Sequence, residues 1–404
     1  MTLPLRQVVF WLHLTAGVVA GAVVLVMSVT GVLLAYEEQL VAWAERGAHA
    51  AAVPPGAERR TLATLVARAA ATVPDAEPSA VLVEAESAAP VRVAFGRGRA
   101  VLVEPFTGRV LGEGAQDLRA ALRTVTAWHR WLGQTDEGRD VGRAITGACN
   151  LAFLVLIVSG LYLWVPRRWN RRQVRNVAWF RGGLAAKARD FNWHNVLGLW
   201  SALPLLAVVA SGVVISYPWA GDLVYRLVGE EPPAARGRGP ERGRSGGGPP
   251  GGDAEAASDP AVRLAALDTA FAAAVGHAGG WRTITVELPE GGAETVAVSV
   301  ARGGRGRPDL RERLVVDPRT ARVVDTETFA DQSRGRRVRS WLRWIHTGEA
   351  GGVAGQTIAA VASAAAVVLV WTGIALAWRR LIPRRRIRTT APSGGRAADA
   401  LGDP

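Results

Sequence analysis

The chain has 404 residues, 49% of them hydrophobic, and a mean hydropathy of +0.14, too apolar for an ordinary soluble protein and too long for one domain. A formal charge of +13 would suit a nucleic-acid binder, but many of the arginines crowd two short segments beside apolar runs, which argues for a lipid bilayer and against nucleic acid. The single cysteine, Cys149, excludes an internal disulfide, a CxxCH haem attachment and a four-cysteine iron–sulfur site.

Residues 8–36 are the first of four runs long enough to span a bilayer. The run is too long, with too little positive charge ahead of it, for a cleavable signal peptide, and is expected as a retained span. Residues 37–126 read as a soluble module. It holds a short alanine-rich helix over 61–72, strands over 91–95 and 100–103 joined at Gly96-Arg97-Gly98, and a turn at Glu104-Pro105-Phe106-Thr107-Gly108 into a third strand. Residues 127–140 read as a surface helix and loop, 141–165 as the second span, 166–191 as a basic connection and 192–217 as the third span.

Residues 218–260 form a connection rich in Gly, Pro and Arg, with too few apolar side chains to fold. Residues 261–338 repeat the first module: a helix over 262–275, strands over 283–288 and 295–300, and Val316-Asp317-Pro318-Arg319-Thr320-Ala321 in place of the earlier turn. A surface segment over 339–352, a fourth span over 353–378 and a basic tail over 379–404 complete the chain. The expected fold class is an α-helical membrane protein, a four-helix transmembrane bundle carrying two α+β modules. The positive-inside rule puts both chain ends and the middle connection in the cytoplasm and the modules outside.

The halves repeat in detail. Gly17 follows His13, and Gly198 follows His194, by four residues; Gly31 and Gly212 follow the same histidines by eighteen, close to five helical turns. His13 and His194 open outward-running spans, whereas His129 and His346 precede inward-running ones, so two histidines fall at each membrane level. Haem b held by two imidazoles needs that arrangement, because iron takes one axial nitrogen from each side of a flat macrocycle. Gly17, Gly198 and Gly133 would leave room for a porphyrin edge beside their histidines, and Arg130 and Arg343 could attract haem propionates or an anionic chelate. His129 is expected on a surface helix outside the hydrocarbon, and His49 and His277 as solvated residues. The alternative for a lone histidine is an interfacial or interhelical hydrogen bond, and for small residues plain helix packing. No phosphate loop, dinucleotide fingerprint or nucleophile motif occurs, so electrons would come from a separate cytoplasmic donor or from quinol.

The chain resembles the PepSY-associated transmembrane family, which includes iron-regulated inner-membrane ferric-siderophore reductases. The resemblance runs from about residue 7 to 386. It rests on His13 with Thr30-Gly31, Trp128-His129-Arg130 with Ser159-Gly160-Leu161-Tyr162-Leu163-Trp164, His194 with Ser211-Gly212, and His346-Thr347-Gly348 with Thr372-Gly373. The soluble modules are similar to PepSY domains at Val103-Glu104-Pro105-Phe106-Thr107-Gly108 and at residues 316–321, where Ala321 replaces the usual glycine. The resemblance implies a bacterial inner-membrane protein with periplasmic modules, two b-type haems on His13, His194, His129 and His346, and reduction of ferric siderophores or other ferric chelates. Two alternatives stay open: a haem-free scaffold that binds an exported protease or peptide, and a quinone-linked oxidoreductase with a non-iron acceptor.

Overall fold

A computed structural model describes residues 4–48, 57–96, 98–166, 170–233, 260–288 and 294–382. His49, the linker from residue 234 to 259 and the tail from 383 lie outside the described residues. Four helices are long and apolar enough to cross a membrane: α1 (Leu5–Leu34), α5 (Gly138–Trp164), α7 (Ala186–Ser216) and α11 (Gly352–Leu381). At 1.5 Å per residue each exceeds the roughly 30 Å of a hydrocarbon core. The surplus carries polar side chains. α7 starts ahead of the expected residue 192 because Asp190 is satisfied inside the fold, accepting from Arg189 at 2.9 Å and from Arg379 of α11 at 2.7 Å.

α1 packs on α5 and α11, and α7 packs on the same two, so α1 and α7 face each other across the bundle. Small residues let the backbones approach, among them Ala20, Gly21 and Ser28 on α1 and Ala359, Ala360, Ala362 and Ala366 on α11.

The soluble segments fold at one end of the bundle. The first provides α2 (Glu37–Glu45), α3 (Leu62–Ala71), β1 (Ala80–Glu84), β2 (Val91–Phe95), β3 (Arg99–Val103) and β4 (Val110–Gly112). The second provides α8 (Pro218–Leu227), α9 (Pro260–His277), β5 (Thr283–Glu287), β6 (Val296–Ala301), β7 (Arg311–Asp317) and β8 (Arg322–Thr328). The strands form one antiparallel sheet in the order β4-β3-β2-β1-β5-β6-β7-β8. β1 pairs with β5 from Ala80↔Glu287 to Glu84↔Thr283, joining the halves edge to edge.

The two modules read separately in the sequence therefore share one core. Val81, Val83, Val93, Ile284, Val286, Val298 and Leu314 face α3 and α9, and all are at most 1% exposed. Each half alone would leave an open strand edge, and pairing the two edges removes that liability. The repeated turns also match: Glu104 accepts from the backbone of Phe106 and Thr107 and from the Thr107 hydroxyl, and Asp317 accepts from Arg319 and Thr320.

Two further helices lead from the sheet into the spans. α4 (Gln116–Trp131) begins ahead of residue 126, and α10 (Arg334–Thr347) ahead of residue 338. Both starts are set by contacts distant in sequence. Glu45 accepts from the Ala115 amide and from Arg119, while Glu230 accepts from the amides of Arg334 and Gly335. α6 (Arg171–Ala178) lies at the opposite end of the bundle, against α7.

Candidate functional site

The bundle brings four histidines together in two pairs. His13 of α1 and His194 of α7 have ring centroids 6.4 Å apart, with ring planes at 88°. His129 of α4 and His346 of α10 have centroids 6.3 Å apart at 60°, at the end nearest the sheet. Seventeen residues separate His13 from Thr30, which meets His129, so the pairs lie about 25 Å apart along the helices. His129 does not stand off on a surface helix. It sits near the end of α4 and its ring reaches α1, because the Thr30 hydroxyl receives it.

Three of the four rings are held the same way, by a hydroxyl residue followed by glycine on another helix. His13 Nδ1 lies 2.9 Å from Ser159 Oγ of α5, His194 Nδ1 2.9 Å from Thr372 Oγ1 of α11, and His129 Nδ1 2.9 Å from Thr30 Oγ1. Each hydroxyl gives its single proton to the carbonyl one turn back: Ser159 to Val155 at 2.6 Å, Thr372 to Val368 at 2.8 Å and Thr30 to Val26 at 2.7 Å. The hydroxyl oxygen must then accept, so the imidazole carries its proton on Nδ1. His346 Nδ1 donates to the Val208 carbonyl at 2.8 Å, with Ser211 Oγ at 3.5 Å. All four rings thus keep a lone pair on Nε2, and no Nε2 makes a hydrogen bond among the described residues.

The following glycine makes room for the ring. A Cβ at Gly160 would stand 3.2 Å from His13 Cε1, at Gly373 3.3 Å from His194 Cε1, at Gly212 3.1 Å from His346 Cε1 and at Gly31 3.7 Å from His129 Cε1. The sequence shows these four dipeptides, yet they read there as helix-packing motifs. One Ser-Gly or Thr-Gly per histidine was the available signal.

The sheet-end pair stays neutral at physiological pH. Burial, and then the charge of His346, pushes His129 down to about 4, and burial lowers His346. Among the described residues no three His, Cys, Asp or Glu side chains converge, so the donors do not form a closed zinc-type shell.

The remaining residues singled out in the sequence have the following surroundings. A Cβ at Gly17 would meet Leu156 at 3.7 Å and one at Gly198 would meet Leu369 at 3.8 Å, ordinary van der Waals distances between packed spans. Gly133 closes α4: its amide donates to Ala127, its φ is +74°, and a Cβ there would strike the Trp128 ring at 2.9 Å. Arg130 lies 4.9 Å over Trp131, and Arg343 lies 5.6 Å from the Trp344 ring. Burial, then the charges of Arg143 and Arg343, lowers the Arg130 guanidinium, so these arginines share one electrostatic neighbourhood. Beside them Trp131 Nε1 is buried without a hydrogen-bond partner among the described residues. His277 is exposed at the end of α9.

Four apolar spans enclosing imidazoles in twos, with a single antiparallel sheet at one end, define a multi-span membrane protein with donors set on its interior. A family model described as PepSY-associated TM region matches residues 10–380, and the chain belongs to that family. No curated protein matches it.

Proposed function

We propose that the protein is a di-haem b oxidoreductase of the bacterial inner membrane that passes electrons across the bilayer and reduces ferric chelates, ferric siderophores among them, on the periplasmic side. The observation that carries this reading is the paired, Nδ1-protonated imidazoles. Two metal–nitrogen bonds of about 2 Å, plus roughly 1 Å from each nitrogen to its ring centre, ask for about 6 Å between centroids. The centroid separations are 6.4 and 6.3 Å. Histidines that bind a metal characteristically donate their second ring N–H to a fixed acceptor, and these four all do.

Haem b bound at these positions would supply the one-electron chemistry. The chain's own part is to set ligand tautomer, depth and access. Ser159 and Thr372 hold one ring pair and Thr30 and the Val208 carbonyl the other, while Arg130, Arg343 and the Trp131 Nε1–H offer positive charge and a donor to carboxylates at the sheet end. One electron converts chelated iron(III) to iron(II), which hard oxygen donors bind less tightly. The electron comes from quinol or a cytoplasmic donor. The basic connection and tail put the His13 end in the cytoplasm, and the two halves of the sheet stand as PepSY-like modules in the periplasm.

The test is the absorption spectrum of the purified protein. A Soret band and a reduced α-band of low-spin b haem are expected, with two haems per chain. His13→Ala or His194→Ala should remove one haem, and His129→Ala or His346→Ala the other. The reduced protein should be reoxidised by ferric chelates. A folded but colourless protein from haem-replete cells overturns the proposal and favours a scaffold.

A further inference from the structure

At the end of the bundle away from the sheet, the connection from residue 166 to 189 contains no Asp or Glu, while Arg171, Arg172 and Arg175 all lie on α6. These three side chains are exposed and make no ion pair among the described residues. The one acid that ends this stretch, Asp190, is 3% exposed and already engaged by Arg189 and Arg379, so it cannot neutralise them.

α6 is also fixed in height. Trp164, the last residue of α5, donates its indole N–H to the Val177 carbonyl at 3.2 Å, and Trp200 of α7 donates to the Ala178 carbonyl at 2.9 Å. Both carbonyls belong to the end of α6, so indoles from two spans tie it to the level where those spans leave the lipid. Asn170 caps the start of the helix by accepting from the Gln173 amide. Trp179, 59% exposed, follows the helix and packs with its ring centroid 5.9 Å from that of Trp200, the planes inclined at 59°. Between these parts lies an open hollow of about 560 Å³ lined by Asn170, Arg171, Val174, Arg175 and Trp179. The lining combines two guanidinium groups one helical turn apart with an indole and a valine.

We propose that this hollow binds the headgroup of an anionic phospholipid from the adjacent leaflet, with Arg171 and Arg175 on the phosphate and Trp179 and Val174 against the glycerol and upper acyl chain. A guanidinium matches phosphate oxygens in a two-pronged contact, and indoles favour the boundary between headgroup and chain. Anionic surfaces attract uncompensated basic segments, and basic pockets at helix ends take up such headgroups. A free phosphate would use the arginines but leave the apolar lining uncovered, so the amphiphile is the occupant that meets both.

The experiment uses the full chain, purified and reconstituted in nanodiscs of phosphatidylcholine with a minor share of phosphatidylglycerol. Native mass spectrometry after release should show phosphatidylglycerol retained preferentially over phosphatidylcholine. R171Q/R175Q should lower that preference roughly tenfold, whereas R171K/R175K should keep part of it and R319Q/R322Q, on the sheet, all of it. W179A, which leaves the charges intact, should weaken retention as well. Equal retention by wild type and R171Q/R175Q, absence of any lipid preference in the wild type, or displacement of the lipid by inorganic phosphate at matched concentration overturns the proposal. None of these readouts depends on haem.

Discussion

The two histidine pairs are alike in spacing and different in support. At the His13–His194 pair both rings belong to membrane spans, and their acceptors, Ser159 and Thr372, belong to the other two, so the bundle alone sets the geometry. At the His129–His346 pair the rings arrive on α4 and α10, and only the receiving Thr30 and Val208 lie on spans. The first pair therefore depends on helix packing. The second also depends on how firmly the sheet is tied to the bundle.

The largest break in that comparison should come from Glu45. It is 6% exposed and links α2 to the sheet and to α4, through Arg92 at 2.6 Å and Arg119 at 3.0 Å. Removing one partner of a mostly buried pair strands the others, and with both arginines partly solvated Glu45→Ala should cost about 2–3 kcal/mol. Thermal unfolding should show the loss, and under the proposed haem ligation the spectrum of the His129–His346 site should change while that of the other site does not. Acid should act the same way. Burial by itself would raise the Glu45 pKa, but hydrogen bonds and charge from Arg92 and Arg119 outweigh it and hold the carboxyl below the ordinary glutamate range. Its contribution is therefore present above the unfolded value near about 4.3 and is lost as pH falls through the lowered folded value. A stability titration from neutral pH to below 4 checks the sign; Glu45→Ala should flatten it.

Next in size are the acceptors. Thr372→Val leaves the His194 Nδ1–H without its acceptor and, with haem bound as proposed, should lower haem affinity roughly ten- to a hundredfold. Ser211→Ala should change it little, because His346 already donates to the Val208 carbonyl at 2.8 Å and Ser211 stands at 3.5 Å. Haem-transfer rates to an apo-acceptor protein would measure both, and equal effects would refute the assignment of the fourth acceptor.

The glycines sharpen the comparison further. Gly212→Ala brings a Cβ to 3.0 Å from Asn150 Nδ2 and 3.1 Å from His346 Cε1, and should cost about 1–2 kcal/mol with a perturbed sheet-end spectrum. Gly31→Ala has 3.6 Å of clearance from Ser363 Oγ and should be neutral or slightly stabilising within its helix. The smallest effect concerns the repeated turn. Ala321 has φ +57° where the first copy has Gly108 at +71°, so Ala321→Gly should stabilise the protein by about 1 kcal/mol, read as a modest rise in Tm.

Much of this was legible in the residues because the signals were local or periodic. The four spans announce themselves by length and hydropathy, and equal intervals after His13 and His194 place those rings at one depth. Strands β2, β5 and β6 alternate visibly between inward and outward residues. The strand β1 does not announce itself, since its place at the centre of the sheet depends on pairing with β5 two hundred residues away. Gly133 gains a role the sequence did not show: its positive φ lets it close α4.

What the amino-acid order decided alone is the count of spans, the duplication and the shared depth of His13 and His194, all consequences of apolar periodicity within single helices. Tertiary structure decided what no window of sequence contains: that two soluble segments close into one sheet, that α4 and α10 carry their histidines into the bundle, and which hydroxyl or carbonyl takes each Nδ1 proton. Those outcomes depend on edges and donors that can be satisfied only by partners distant along the chain.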